Sequence, residues 1–482
     1  MVMGEFTQET EVLVIGGGPG GYAAAFRAAD LGLQVTMVDR EPRAGGVCLF
    51  RGCIPSKTLL YVSELLHDAK SAKKMGVDFN DPRVDLVRLR EWKDQVVDRL
   101  AKGLAQLGKK RKVEYIQARA GFEDSHHVRL YDSESEVSHI SFKYAIIATG
   151  SRPIPLPGSE FKPGGRIMDS STALKLEELP EKLLVVGGGY VGVELGSVYA
   201  SLGSRVTLVE ITDQLMPGTD KDLLKPLFER LQDLFADIYL KTKVENLQEN
   251  DSTVKAVLAG EMIQGEQIFD RALVAIGRRP NSEDLGLENT KVETDERGFV
   301  LVDEQQRTAQ KNLYAIGDVV GGAMLAHKAM YEGKVAAEVI AGEPSAFDAR
   351  AIPAVVYTDP QLAWCGLTEE NARRENRSVR ISRFPWLASG RAASMGVIRG
   401  MTKIIVDSET ERVLGMGIVG RQAGEMISEG VLAVEMGALA EDLALSIHPH
   451  PTLSETEEEA AGAFLGSSTH ILPREEEIGP ED

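Results

Sequence analysis

Two of the three cysteines in this 482-residue chain, Cys48 and Cys53, lie five residues apart in a run that ends Gly52-Cys53-Ile54-Pro55-Ser56-Lys57. On a regular helix, residues five apart point about 140° away from each other, since each residue turns by about 100°. A disulfide needs Cβ atoms about 3.8 Å apart, so a bridge here requires a distorted turn. Gly52 and Pro55 are residue types that distort one. A bridge over so short a loop gains little chain entropy, and in a reducing compartment it reads as redox chemistry rather than as a staple. Two plainer readings stand beside it. The cysteines could be small buried hydrophobes, or they could bind zinc, although no second closely spaced pair completes a tetrahedral site. No metal is expected. Cys365, alone between Trp364 and Gly366, reads as packing.

A second kind of chemistry sits in two glycine turns. Val12–Ile15 leads into Gly16-Gly17-Gly18-Pro19-Gly20-Gly21, and Leu183–Val186 leads into Gly187-Gly188-Gly189-Tyr190-Val191-Gly192. Each turn is followed by a helical stretch and then by a strand ending in an acid, Asp39 or Glu210, 23 residues after the first glycine. In Gly16-x-Gly18-x-x-Gly21 the first glycine makes the turn, the second admits a pyrophosphate, and the third lets helix and strand pack closely. The following helix directs free N–H groups at the phosphates, and the acid holds a ribose hydroxyl. Gly187, Gly189, Gly192 and Glu210 repeat the pattern. A carboxylate at Glu210 repels a 2′-phosphate, and Ile211–Met216 contains no arginine or lysine, so the second site is expected to take NAD rather than NADP.

The elements that must position these groups follow. Two βαβ units in one chain imply two nucleotide-binding domains. Pro153, Pro155, Pro157 and Gly158 mark a crossing out of the first, and Gly277-Arg278-Arg279-Pro280 marks a return to it. The segment Asn312–Asp318 reads as a strand delivering an acid, the distant second contact that a long flavin dinucleotide in the first site would need. From about Ala351 strands alternate with helices as a third, α+β part. The expected fold is α/β: two Rossmann-like dinucleotide-binding domains plus a C-terminal α+β domain. Its expected boundaries are 1–152 for the first part of the first nucleotide-binding domain, 153–279 for the second, 280–350 for the return segment and 351–482 for the C-terminal domain. The acidic end, Arg474–Asp482, reads as frayed.

Composition sets the outer limits. The length predicts about three domains, and three cysteines exclude a disulfide scaffold. A net charge of −19 argues against nucleic acid or anionic membranes as partners. No stretch has the roughly 18 uncharged apolar residues of a membrane span. The polar start, Met1–Glu11, does not read as a signal peptide, so a cytoplasmic location is expected.

Taken in order, GGVCLFRGCIPSK (Gly45–Lys57), IIATGSRP (Ile146–Pro153), GGGYVGVELG (Gly187–Gly196), AIGRRPN (Ala275–Asn281), AIGDV (Ala315–Val319), MLAHKA (Met324–Ala329) and HPHPTLSE (His448–Glu455) resemble the pyridine nucleotide-disulfide oxidoreductases over essentially the whole chain. Within that family the match is to the enzymes acting on dihydrolipoamide. The resemblance implies a homodimeric enzyme with FAD and NAD as cofactors, the first Rossmann-like domain (1–152 and 280–350) taking FAD, the second (153–279) taking NAD and the C-terminal α+β part (351–482) serving as the dimerisation or interface domain. Its reaction would be the oxidation of protein-bound dihydrolipoamide to lipoamide with reduction of NAD⁺ to NADH.

Position by position, the resemblance makes Cys48 the thiol that meets substrate and Cys53 the thiol against the flavin. Lys57 and Glu194 become an ion pair beside the flavin, and Tyr190 covers it until nicotinamide enters. Asp318 becomes the ribityl contact, with Met324, Leu325, Ala326 and His327 lining the flavin. Gly121, Thr149, Gly150 and Ser151 match further flavin contacts, and Val244 and Gly277 match NAD contacts. His450 and Glu455 match a catalytic base and the carboxylate that orients it, with the histidine serving the other subunit. An imidazole suits removal of a thiol proton, which must precede attack on a disulfide. His448 reads either as a supporting partner or as a surface histidine.

Phe50-Arg51 replaces the Asn-Val common between the cysteines in the family, and Asp39 stands where glutamate is commoner. The implied partner is a lipoylated carrier: the acyltransferase subunit of a 2-oxo acid dehydrogenase complex, or the glycine cleavage carrier protein. Two alternatives remain, a related flavin disulfide reductase for another disulfide or a metal-ion substrate, and a non-catalytic assembly subunit. Basic residues after Glu210 would point to a glutathione-type reductase and a C-terminal cysteine pair to a mercuric reductase. Both are absent.

Overall fold

The computed structural model describes residues 6–80, 82–133, 135–472 and 476–478. Strand β1 (Phe6–Ile15), helix α1 (Pro19–Asp30) and strand β2 (Val35–Asp39) form the first βαβ unit. β1 pairs in parallel with β2 and with Val137–Ile147, which in turn pairs in parallel with Leu313–Ala315. Successive side chains of a strand face opposite sides. Leu13 and Ile15 therefore pack into one core layer with Phe122, Val128 and Ile140, while Val12 and Val14 pack into another with Ala24, Ala28 and Ala336. Phe6 and the polar residues Thr7–Glu11 extend β1 beyond the apolar run, because Phe6–Thr10 find partners along Val137–Phe142. Downstream of β2 come a short helix, α2 (Gly46–Arg51), and a long one, α3 (Cys53–Ser71).

The second βαβ unit is β3 (Lys182–Val186), α4 (Tyr190–Leu202) and β4 (Arg205–Val209). It belongs to a five-stranded parallel sheet completed by Asp237–Tyr239, Arg271–Val274 and Ile167–Met168. The residues leading out of the first sheet and back into it, Ser151–Pro153 and Arg278–Pro280, pair with each other as a two-stranded antiparallel ribbon. Helix α5 (Ala326–Ile340) then returns to the first sheet against α1. The approach is close: a Cβ on Gly333 would lie 2.5 Å from the carbonyl oxygen of Gly20.

A six-stranded antiparallel sheet with helices on it, among them α6 (Glu455–Phe464), forms the C-terminal part. It is pinned by Lys403 to the start of the helix Lys221–Leu234 of the second domain. The fully buried ammonium donates to Asp220 at 2.6 Å and to Asp222 and Glu369, each at 2.8 Å. Arg383 adds bonds to Asp222 and Glu369. Buried charge is tolerated there because it is paired on every side. The acidic end is not wholly frayed. Glu476–Ile478 form an edge strand on Val379–Ile381, and Arg383 bonds Glu476 at 2.8 Å, so pairing and charge hold a segment whose composition suggested a loose tail. Pro473–Glu475 and Gly479–Asp482 lie outside the described residues. Among the described residues no helix is long and apolar enough to cross a membrane.

Candidate active site

The two glycine turns have one geometry. Gly16 has φ +110° and Gly187 has φ +107°. A Cβ on Gly16 would lie 2.3 Å from the carbonyl oxygen of Ala148, and one on Gly187 would lie 2.4 Å from that of Ala275. On Gly21 and Gly192 it would collide with the carbonyls of Gly16 and Gly187, at 1.9 and 2.1 Å. Each turn therefore excludes side chains at its first and third glycines, and the helix behind it starts with free N–H groups facing a cleft. The acids brace their own turns. Asp39 accepts from the Gly17 amide, so the shorter acid still reaches this loop as Glu210 does the second. Glu210 accepts from Gly188 N at 2.6 Å and from Thr212 N at 2.8 Å.

Two clefts open on these turns. The first, with about 1340 Å³ of space counted to its mouth, runs from Gly16, Gly18 and Asp39 past Cys48 and Cys53 to Asp318, Met324 and Ala326. The second, about 1290 Å³, holds Gly187, Gly189, Glu210, Val244 and Gly277. Ser170, Tyr190, Val191 and Arg278 line both, so Tyr190 stands in the wall between them. An elongated, glycine-floored cleft with a carboxylate at each end fits a flavin dinucleotide, and the second fits a nicotinamide dinucleotide.

The cysteines meet because the helix breaks between them. Gly52, at φ −145° and ψ −114°, ends α2 and starts α3 in a new direction. Gly52 is the distorting residue; Pro55 merely occupies the first turn of α3, where its missing N–H costs nothing. Both thiols are free. The Cys48 thiol donates to Cys53, which with burial pushes the Cys48 pKa up. That hydrogen bond, helped by the Lys57 charge, brings Cys53 down to about 7. The pair therefore holds one labile proton near neutrality, as a reduced dithiol centre requires.

Lys57 follows Cys53 by one helical turn. Its ammonium lies 2.8 Å from Oε2 and 3.0 Å from Oε1 of the buried Glu194 on α4. The Tyr357 amide donates to the same carboxylate at 3.0 Å, and the Tyr357 ring lies 4.7 Å beneath the Lys57 charge. At the crossing ribbon, Ser151 donates to Asp318 and Arg278 Nε donates to Ser151 Oγ at 2.7 Å. Thr149, Gly150 and Ser151 all face the first cleft.

His450 stands apart. Its Nδ1 is 2.7 Å from Oε1 of Glu455, whose other oxygen accepts from Thr452 N at 2.6 Å. The ring is 71% exposed and is not part of the wall around Cys48. His448 is no surface histidine: its side chain is only 7% exposed. Nδ1 faces the Ser446 carbonyl and Nε2 faces Glu429, both at 2.8 Å, so both ring nitrogens meet acceptors, an arrangement that favours the charged ring. Burial opposes that charge, but these two partners prevail and its pKa is raised.

Some expected contacts lie off the clefts. His327 bonds the Pro353 carbonyl at 2.8 Å, Leu325 precedes α5, and Gly121 pairs with Arg129 inside a hairpin. None of the three lines the first cleft, and Gly21 and Gly192 serve by close packing instead. Other groups had no motif to reveal them. Tyr357, Ser170 and Lys243 arrive from elements distant in sequence, although Arg278 and Asn281 sit within AIGRRPN.

Comparison with known proteins gives the family. Residues 10–333 match the model described as pyridine nucleotide-disulphide oxidoreductase, and residues 352–461 match the dimerisation domain of the same family. The chain is 46% identical to the dihydrolipoyl dehydrogenase of Haemophilus influenzae over 463 residues, 96% of each chain. It is also 46% identical to dihydrolipoyl dehydrogenase 2 of Haloarcula marismortui, over 98% of this chain and all of that one. Among solved structures it resembles LpdA from Mycobacterium tuberculosis, with TM-score 0.88, 27% identity and coverage of 94% and 99%. The HOCl-induced flavoprotein disulfide reductase RclA from Escherichia coli aligns with TM-score 0.83, 28% identity and the same coverage. Two adjoining clefts on glycine turns, the first lined by a dithiol, and matches that run through both sheets and the antiparallel domain make this chain a member of the pyridine nucleotide-disulphide oxidoreductase family.

Proposed function

We propose that this chain is an FAD-dependent dihydrolipoyl dehydrogenase, oxidising protein-bound dihydrolipoamide to lipoamide while NAD⁺ becomes NADH. The observation that carries the reading is the Cys48–Cys53 dithiol in the wall of the first cleft, which shares Tyr190 and Arg278 with the second. Residues 1–152 and 280–350 build the flavin part, 153–279 the NAD part and 351–482 the interface part.

Gly16, Gly18, the start of α1, Asp39, Ser151 and Asp318 would hold FAD. Gly187, Gly189, Glu210, Val244 and Gly277 would hold NAD. Bound FAD supplies the two-electron relay between the dithiol and NAD⁺. The chain's own groups do the rest. His450, held by Glu455, removes a proton from one substrate thiol. The thiolate attacks Cys48 Sγ of the oxidised pair; the Cys48–Cys53 bond breaks and Cys53 leaves as a thiolate, which the nearby Lys57 charge favours. The second substrate thiol then displaces Cys48, closing the lipoamide ring and leaving the reduced pair. Lys57, fixed by Glu194, balances the charge on Cys53.

His450 is exposed and does not line its own cleft, which supports a base for Cys48 supplied as His450 of the partner subunit, in a homodimer formed through the C-terminal domain. The partner protein is a lipoylated carrier and the setting cytoplasmic. The test is purified protein given dihydrolipoamide and NAD⁺. Bound yellow flavin and steady NADH formation are expected. A protein that forms no NADH, or turns over only an unrelated disulfide or a metal ion, would overturn the reading.

A further inference from the structure

The side chain of Arg51, between the two cysteines, has no place in the thiol chemistry. It lies one helical turn beyond Val47 on α2, and both residues line the flavin cleft. The first residue of α2, Gly46, abuts the glycine turn: a Cβ there would lie 2.6 Å from Gly18 Cα. Helix α2 thus starts at the phosphate end of the cleft and runs along its wall toward Cys53, carrying Arg51 roughly 7.5 Å from Gly46 at 1.5 Å per residue. There its guanidinium is 2.6 Å from Oε1 of Glu41, which lines the same cleft just after Asp39.

The other cations of the cleft are differently engaged. Lys57 is held by Glu194, and Arg278 by Ser151 with Asp318 at 3.8 Å. Arg40 lies at the ribose end beside Asp39. The part of the cleft beside the glycine turn must accept two negative charges, and Val47 offers them no side-chain donor. The Arg51–Glu41 pair is about 40% and 30% exposed, the kind of ion pair that water and salt weaken. A guanidinium that gives up such a pair for a diphosphate gains a planar, two-pronged match to phosphate oxygens.

We propose that Arg51 is a diphosphate-binding residue of the flavin cleft, exchanging its ion pair with Glu41 for the diphosphate of FAD. This rests on the flavin reading given above. Phe50 supports the arrangement: the Arg43 guanidinium lies 5.4 Å from its ring and bonds Asp98 at 2.7 Å, fixing the outer face of α2.

The test is titration of flavin-stripped protein with FAD, following flavin fluorescence at low and at high sodium chloride. Arg51→Leu is expected to weaken FAD binding about tenfold or more at low salt, the worth of a charge-assisted hydrogen bond. The deficit should shrink at high salt, Arg51→Lys should recover part of it, and Glu41→Gln should bind FAD at least as tightly as wild type. Arg51→Gln repeats the measurement if the leucine variant does not fold. Equal affinity of wild type and the uncharged variant, or a deficit unchanged by salt, would overturn the proposal. Wild-type protein that binds no FAD would instead overturn the flavin reading itself, and this inference with it.

Discussion

Lys57 and Glu194 join two helices that start at different chemical centres: α3 begins at Cys53, and α4 begins at the second glycine turn. Glu194 is buried while Lys57 stays about a third exposed. Glu194→Gln is expected to cost roughly 1–3 kcal/mol of stability, less than a fully buried pair would. It should also lower the Cys53 pKa below its value of about 7, since the Glu194 charge raises it, and Lys57→Met should do the opposite. Chemical denaturation and pH-dependent thiolate absorbance of the reduced protein check the two effects.

The thiols titrate as a pair. In reduced protein one thiolate should form with a midpoint of about 7, while the second stays protonated well into the alkaline range. Cys48→Ala removes the hydrogen bond that contributes most to the low Cys53 value, so burial should then carry Cys53 upward past neutrality. Alkylation rate against pH measures it. A midpoint unmoved in that variant would remove the donor role given to Cys48.

Glu457, on α6 with Glu455, is fully buried, and neither of its carboxylate oxygens has a hydrogen-bond partner. Burial, then the Glu429 charge, raises its pKa to about 9. A raised folded pKa gives stability that is complete below the unfolded value of 4.5 and is lost as pH rises through 9. At pH 7 the loss is roughly 3 kcal/mol. Glu457→Leu should therefore raise stability at neutral and alkaline pH and flatten its decline across that window. Urea midpoints from pH 5 to 9 test this.

These residues also show what a sequence reader can and cannot see. The glycine turns, Asp39, Glu210 and the cysteine pair were legible because each function is written in consecutive residues with a fixed spacing. Tyr357 was not, since it reaches Glu194 only after the antiparallel sheet docks against α3 and α4. Lys403 and Glu457 look like ordinary surface charges, one on a strand and one in an acidic run, yet both are wholly buried. The strand Glu476–Ile478 escaped notice because an edge partner, not its own composition, orders it. Leu325 and His327 fell inside a matching motif, but the motif records a helix start, and only Met324, Ala326 and Ala329 of that run reach the cleft.

If His450 serves the neighbouring copy, two inactive proteins should complement. Cys48→Ser and His450→Gln, denatured together and refolded, should form mixed dimers with one intact site each. Roughly a quarter of wild-type activity should return for random pairing in a symmetric dimer. Each variant refolded alone should stay inactive. No recovery in verified mixed dimers would place the base in its own subunit.

The most direct test of the central claim is a single turnover. FAD-loaded, oxidised protein receives one equivalent of dihydrolipoamide without oxygen, followed by NAD⁺, and NADH absorbance is recorded. Wild type should yield about one NADH per subunit, and Cys48→Ser and Cys53→Ser should yield essentially none, because neither can pass electrons through a dithiol. NADH formed by Cys53→Ser at the wild-type rate and amount would contradict the account.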